Sequence, residues 1–353
     1  MTALAAGIDI GGSGTKVCLV SEGRISARAL LPTDLSGAET VGSLALAALD
    51  RIMAEGGCNL GQITSIGVGV PGQVDQGMVR NAANLGIGES GFDLGGHVSS
   101  ATQVDTIVEN DMRAAAYGAY TLSAANDRPV PNLVYVGIGT GVSAGVVLDG
   151  AVYRGARGMA GEFGHVPMGT GIKCACGSVG CLETVIGATG LRQEWDGASV
   201  SSLFQAAVNG ETRAGELVAR AVDHLARAMW WLAASYDPDL FYIGGGVGAG
   251  SPSIRNLVAA RWTEMAGRSE MARRVLDPDR IRMYDLEEPV GAYGAASLAA
   301  VYGGHPITGH FSSRRGTPFP GTFGEAQEDP GGAESNRRHR GSKRDSKRRN
   351  PNA

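Results

Sequence analysis

LAAGIDIGGSGTKVCLV (residues 4–20) reads as an apolar strand, a tight Gly turn and a second apolar strand, with a further strand at Arg24 to Leu30. The same pattern returns in LVYVGIGTGVSAGVVLDGAVYRG (133–155), again strand, Gly turn, strand and further strand. Repetition of a β–Gly-turn–β unit in both halves predicts two related α/β lobes. Working outward, residues 36–55 place Val41, Leu44, Ala45, Ala48 and Ile52 at three- and four-residue steps, which predicts an amphipathic helix. ITSIGVGVPG (63–72) reads as a buried strand, followed by a Gly- and Asn-rich loop to about Gly96. A short strand (103–111) leads into an Ala-rich helix from Met112 to about Ala124, and NDRPVPN (126–132) is the candidate lobe boundary. The second half continues with a Cys- and Gly-rich loop (158–181) and helical stretches through Tyr236. LFYIGGGVGAG (240–250) is a strand with a Gly-rich turn, and a small-residue helix over 288–302 closes the fold.

A chain of 353 residues exceeds one typical domain, and 43% hydrophobic residues is normal for a globular protein. The outlier is glycine, 55 residues with no G-x-y period, which excludes collagen and fits backbone turns around a ligand. The net charge of −4 is unevenly spread: ten Lys/Arg against five Asp/Glu lie between His305 and Ala353, so the first 304 residues carry −9. An acidic body argues against a nucleic-acid groove, and no specific nucleic acid is expected as a partner. Residues 305–353 are polar, Pro/Gly-rich and basic, and read as a disordered tail. No uncharged apolar run reaches about 18 residues, and the first ten residues hold Asp9 and no Lys or Arg. No membrane association is expected, and the chain reads as cytoplasmic. Five cysteines, three of them at 174, 176 and 181, argue against a disulfide framework.

Three Gly turns follow apolar strands: Asp9-Ile-Gly-Gly-Ser-Gly-Thr-Lys16, Gly137-Ile-Gly-Thr-Gly141 and Gly244-Gly-Gly246. Their exposed N–H groups can cradle phosphate oxygens, with Ser13 and Thr140 adding hydroxyls. Taken together they point to nucleotide binding, and no P-loop motif is present. Gly67-Val-Gly-Val-Pro-Gly72 matches G-x-G-x-x-G, but Pro71 and QVDQGMVRN do not open a helix, so a dinucleotide site is not indicated. Glu109-Asn110-Asp111 ends a strand and opens a helix. Asn and Asp there serve as N-caps, and at the carboxyl edge of a parallel sheet an Asp can also take a proton from a substrate hydroxyl. In Gly161-Glu-Phe-Gly-His165-x8-Cys174-Ala-Cys176-x4-Cys181-Leu-Glu183, three thiols and one imidazole supply the donor set of a closed structural zinc site. Glu162 and Glu183 are not needed as ligands there, which suggests that the knuckle holds two carboxylates for another use, such as sugar hydroxyls.

With these residues quoted, the sequence resembles the ROK (repressor, open reading frame, kinase) family of sugar kinases, glucokinase-like, from about Gly7 to Ala299. The matching pieces are DIGGSGTK, VGVPGQVD, Asn84, END, GIGTGVSAG, GEFGH, CACGSVGCLE and IGGGV, in that order. The resemblance implies a two-lobed actin-like ATPase (ribonuclease-H-like) α/β fold with a zinc-binding loop. Residues 1–125 would form the small lobe, closed by the C-terminal helix 288–304, and 126–287 the large lobe with zinc loop 158–183. It implies Asp111 as catalytic base, with Gly72, Asn84, Asn110, Glu162, His165 and Glu183 on the sugar side. Asp9, Gly11, Gly12, Ser13, Lys16, Gly139, Thr140, Gly141, Gly245 and Gly246 would surround Mg-ATP. His165, Cys174, Cys176 and Cys181 would hold structural zinc. The implied reaction is phosphoryl transfer to a hexose, glucose at O6 first. N-acetylmannosamine, fructose or allose as acceptor, polyphosphate as donor, and a sugar-responsive regulator are the alternatives, and a homodimer or higher homo-oligomer is the implied assembly. Met112-Arg113 departs from the small residue and Asn that the family usually carries after the base, and puts a thioether and a cation beside the site.

Overall fold

The computed structural model describes residues 3–12, 14–33, 37–124, 130–197, 199–251, 253–284 and 289–303. Ser13, most of the boundary loop 126–132 and the basic tail 305–353 lie outside the described residues. The first part runs β1 (Leu4–Gly11), β2 (Gly14–Ser21), β3 (Arg24–Leu31), α1 (Ala38–Gly56) and β4 (Ile63–Val70). It continues through β5 (Gln73–Asp75), β6 (Met78–Arg80), β7 (Phe92–Asp93), α2 (Leu94–Thr102), β8 (Thr106–Asn110) and α3 (Asp111–Ala124). The second part begins with β9 (Leu133–Ile138), β10 (Val142–Leu148) and β11 (Ala151–Val152), then the short helices α4 (Glu183–Ile186), α5 (Ala188–Glu194) and α6 (Val200–Val208). After these come α7 (Thr212–Tyr236), β12 (Leu240–Gly244), α8 (Gly245–Ala249), α9 (Ile254–Ala266), α10 (Glu270–Val275), β13 (Ile281–Met283) and α11 (Val290–Tyr302).

Two five-stranded sheets share one plan. The first has the order β3-β2-β1-β4-β8 and the second β11-β10-β9-β12-β13. In each, three strands pair antiparallel and two more extend the sheet in parallel. The repeated strand–Gly-turn–strand pattern of the sequence is therefore a repeated half-sheet. β4 is buried almost throughout, as its continuous apolar run requires, whereas edge strand β3 alternates between exposed and half-buried residues. α1 buries Val41, Ala45, Ala48, Leu49 and Ile52 on the first sheet and ends at Gly57 in the left-handed region.

α3 and α11 lie against each other, and glycine is what lets them approach. A Cβ on Gly294 of α11 would stand 1.8 Å from the Ala114 carbonyl oxygen of α3, and one on Gly118 2.3 Å from that of Val290. α11 also presses on the first sheet, where Cβ atoms at Gly7 and Gly67 would meet the carbonyls of Ala292 and Ala295 at 1.9 Å. α3 presses on the second sheet, where Gly145 would meet the Met112 carbonyl at 2.1 Å. Each is a backbone contact with no flexible end to yield, so a methyl group there would cost at least the 1–3 kcal/mol typical of overpacking. Gly67 in the misleading G-x-G-x-x-G thus serves helix packing.

Three local readings need correction. The loop expected up to Gly96 contains the hairpin β5–β6, strand β7 and helix α2. Gln76 and Gly77 both take positive φ (47° and 87°), the two-residue turn that joins a tight hairpin. α2 is built from LGGHVSSAT, poor helix formers, and is held by its cap, since Gly96 N–H donates to Asp93 Oδ1 at 2.8 Å. The strand expected over 103–111 starts only at Thr106 because Gln103 sits at φ 57° as the C-cap of α2. The third Gly turn is a strand end that runs straight into α8. No helix of the described residues is long and apolar enough to cross a membrane.

Candidate active site

The carboxyl ends of the parallel strands β1, β4 and β8 bring together what lies far apart in sequence. Asp9 pairs in register with Gly69, Gly69 with Glu109, and Val70 with Asn110, so Asp111 opens α3 just beyond that edge. A Cβ on Gly69 would stand 3.7 Å from both Asp9 Oδ1 and the Asp111 Cα. Gly69 thus lies against the Asp9 carboxylate, the Asp111 backbone and, at 3.4 Å from its would-be Cβ, the Ala114 methyl group. Burial pushes Asp9 up to about 7, with the Asp111 charge adding to the shift and Lys16 opposing it. Asp111 is pushed up to about 6, chiefly by burial; the Met112 amide and Arg113 oppose the rise and the Glu162 charge adds to it.

Asn110 is the cap that the sequence anticipates. Its Oδ1 accepts the amides of Met112 (3.1 Å) and Arg113 (3.2 Å), while its Nδ2 donates to the Gly72 carbonyl at 3.2 Å. Gly72 has φ 103°, and a Cβ there would meet the Arg80 carbonyl at 2.8 Å. Asn110 and Gly72 are thus joined directly, and the Asp111 carboxylate, which accepts the Met112 amide at 2.9 Å, rides on a capped helix end. Asn84 is exposed on the 3-10 turn Ala83–Leu85. The thioether and the cation that follow the base each have a packing partner. Met112 directs its sulfur at Gly137 of β9, and Arg113 is buried against Glu109.

The phosphate-turn candidates sit at corresponding places in the two sheets. Gly11 and Gly14 pair at the end of the β1–β2 hairpin, with Lys16 opposite Asp9 on β2. In the second sheet, Gly139 N–H donates to the Gly141 carbonyl at 3.0 Å, and α5 anchors the turn through Ala188 N–H to Gly139 and Thr189 N–H to Thr140. Gly245 opens α8 at φ 81°.

His165, Cys174, Cys176 and Cys181 bring one donor atom each to within 4.8 Å of one another. Cys176 Sγ is 3.7 Å from Cys181 Sγ, and Cys174 Sγ 3.8 Å from His165 Nδ1. Zn–S bonds of about 2.3 Å place tetrahedral donors about 3.8 Å apart, so the set fits the ion. Glu183 stands next to it: Oε1 accepts the Cys174 thiol at 2.9 Å, and a Cβ on Gly141 would lie 2.7 Å from Oε2. The cysteine cluster, a proposed sugar-side carboxylate and the second phosphate turn are therefore one continuous structure.

Sequence reasoning missed Gly69 and Gly291. A Cβ on Gly291, in the first turn of α11, would fall 2.5 Å from Asp9 Oδ2. Nothing in the local pattern of VGAYG ties it to residue 9. Gly291→Ala should force the Asp9 carboxylate aside, since that is the part free to yield. With Asp9 on the nucleotide side, as the resemblance implies, KM for ATP should rise roughly tenfold, about 1.4 kcal/mol, and KM for the sugar should stay nearly unchanged, as initial-rate kinetics would show.

The ROK family profile matches residues 5–301. A glucokinase from Halalkalibacterium halodurans is 30% identical over 319 residues, covering 83% of this chain and 93% of that protein. An N-acetylmannosamine kinase from Yersinia pestis is 32% identical over 265 residues, covering 72% and 87%. Among solved structures, a ROK family glucokinase from Streptomyces griseus in complex with glucose and AMPPNP superposes with a TM-score of 0.71 at 25% identity, covering 85% of this chain and 100% of that one. The chain belongs to the ROK family. Within it, this protein is a sugar kinase, a phosphotransferase of the actin-like ATPase fold.

Proposed function

We propose that the protein transfers the γ-phosphoryl group of Mg-ATP to the 6-hydroxyl of glucose, with Asp111 as general base. The observation that carries this reading is the Asp111 carboxylate held at the capped end of α3, at the sheet edge where Gly69 also touches Asp9. A base with its pKa at about 6 is ionised at neutral pH yet basic enough to take a proton as attack develops. The sugar O6–phosphorus bond forms as the phosphorus–oxygen bond to ADP breaks, the hydroxyl proton passes to Asp111, and ADP leaves. Asn110, Gly72, Asn84, Glu162, His165 and Glu183 orient the hexose, so positioning supplies most of the acceleration. The Gly11–Gly14 and Gly139–Gly141 turns, with Gly245 and Gly246, line the nucleotide side. Mg²⁺ near Asp9 would neutralise phosphate charge there. Residues 1–125 and 126–287 act as lobes that close on the substrates and exclude water. His165, Cys174, Cys176 and Cys181 hold a structural zinc. Support for glucose comes from the Halalkalibacterium halodurans glucokinase and from the Streptomyces griseus structure with its bound glucose. We place the enzyme in the cytoplasm as a homodimer or higher homo-oligomer.

A coupled ADP-release screen across glucose, N-acetylmannosamine, fructose and allose tests the acceptor, and direct product assay with ATP or polyphosphate tests the donor. We expect kcat/KM for glucose with ATP to exceed each other pairing by at least about tenfold. Preference for another hexose or for polyphosphate would overturn that half of the reading and leave Asp111 to be judged separately.

A further inference from the structure

We propose that Arg113 is a positioning residue for the base, clamping the N-terminus of α3 to the segment that leads into Glu162 and His165. The inference rests on the reading of Asp111 as the base. Arg113 and Glu109 are both 2% exposed. Glu109 Oε1 accepts Arg113 Nε at 2.7 Å and the Asn110 amide at 2.8 Å, while Oε2 accepts Arg154 Nε at 2.7 Å. Arg113 Nη1 continues to the Gly158 carbonyl at 2.8 Å. Glu109 belongs to β8 of the first sheet, whereas Arg154 and Gly158 follow β11 of the second. One carboxylate and one guanidinium therefore tie the base-bearing helix to the other sheet. Burial alone would raise the Glu109 carboxyl, but the Arg113 and Arg154 guanidiniums and the Asn110 amide hold it below the usual carboxylate range.

Stability is a poor explanation for such an arrangement, because buried ion pairs are often matched by apolar residues of similar volume. What a planar guanidinium adds is direction: it engages Glu109 and Gly158 at once and fixes the angle between them. Asp111 sits two residues from each member of the Glu109–Arg113 pair, and Gly158 precedes by four residues the Glu162 whose charge acts on Asp111. The clamp sets the distance between those two carboxylates. No local pattern reveals it, since only the β8–α3 turn and the approach of the second sheet bring the three side chains together.

The test uses Arg113→Met and Arg113→Lys in the full chain, with kcat counted per folded, sugar-binding enzyme, and with Asp111→Asn as control. Arg113→Met should lower kcat at least about tenfold while the calorimetric Kd for glucose stays within about threefold. The charged groups acting on Asp111 are Arg113, which opposes its protonation, and Glu162 and Asp9, which favour it. Removing the cation should shift the acid limb of the kcat profile upward by about half a pH unit or more. Arg113→Lys should restore that limb but recover only part of kcat, because one ammonium cannot span Glu109 and Gly158 together. Should Arg113→Met fail to fold, Glu109→Gln/Arg113→Gln replaces the ion pair with a neutral amide pair, and the same kcat loss is expected. Wild-type kcat and an unmoved limb in the folded variant, or a kcat loss that only tracks lost folded protein, would overturn the proposal. Asp111→Asn with wild-type turnover would instead remove the base reading on which it rests.

Discussion

Asp111→Ala should lower kcat by roughly 10²–10⁴-fold, the usual contribution of a general base, while glucose and nucleotide still bind. Asn110 keeps its bonds to the Met112 and Arg113 amides in this variant, so α3 retains its cap. The sign of the stability change follows from the carboxyl itself. Its folded pKa, raised to about 6, lies above the ordinary 3.8, so the ionised form is disfavoured in the folded chain. Stability from this group is gained as the pH falls through about 6 and is absent at pH 7. Asp111→Asn should therefore melt at pH 7 no lower than wild type, as a thermal scan would show. In wild type, kcat/KM should fall on the acid side with a midpoint near pH 6, and no such limb should remain in the residual rate of the Ala variant. Retained near-wild-type turnover, or a variant that is inactive because it no longer folds, would sink the assignment.

Loss of the proposed zinc site should have the second largest effect. Cys176 is the exposed member of its cluster, so Cys176→Ser disturbs little packing while removing one of four donors. Four protein donors would leave no open position, so a zinc held there would be structural and its binding energy would be folding energy for the loop. Glu183 follows Cys181 by two residues and its carboxylate reaches the edge of Gly141. A loosened cluster should therefore displace first the carboxylate proposed for the sugar side. We expect the variant to be purified with under one zinc in ten chains and with sugar affinity lowered at least about tenfold, 1.4 kcal/mol or more. Nucleotide affinity should stay within a few-fold, because the Gly139–Gly141 turn is anchored independently by Ala188 and Thr189. Plasma mass spectrometry with paired sugar and nucleotide titrations reads both halves. Wild-type protein without zinc would end the site, and zinc-free variant with unchanged sugar affinity would end its link to the sugar.

Much of the site was legible in the sequence because its chemistry is local. Three thiols and an imidazole within seventeen residues, from His165 to Cys181, converge on one point through a loop that can close on itself. Asn110 caps the helix that its own neighbours start, and the Gly turns lie between strands that pair with each other. α2 was illegible for the opposite reason: LGGHVSSAT has weak helix propensity, and the Asp93 cap together with packing on the first sheet overrides it.

Sequence alone determined the repeated half-sheet, the metal donor set and the identity of the carboxylate at the end of β8, because periodicity, spacing and residue chemistry act over a few neighbouring residues. Only the tertiary structure decided what stands opposite what. Gly69 and Gly291 matter because Asp9 lies beside them, and Arg113 is a clamp only because Gly158 and Arg154 arrive from the second sheet. Those neighbours are set by parallel strand register and by the close packing of α3 on α11, contacts between residues up to about three hundred positions apart, whose partners no local pattern can name.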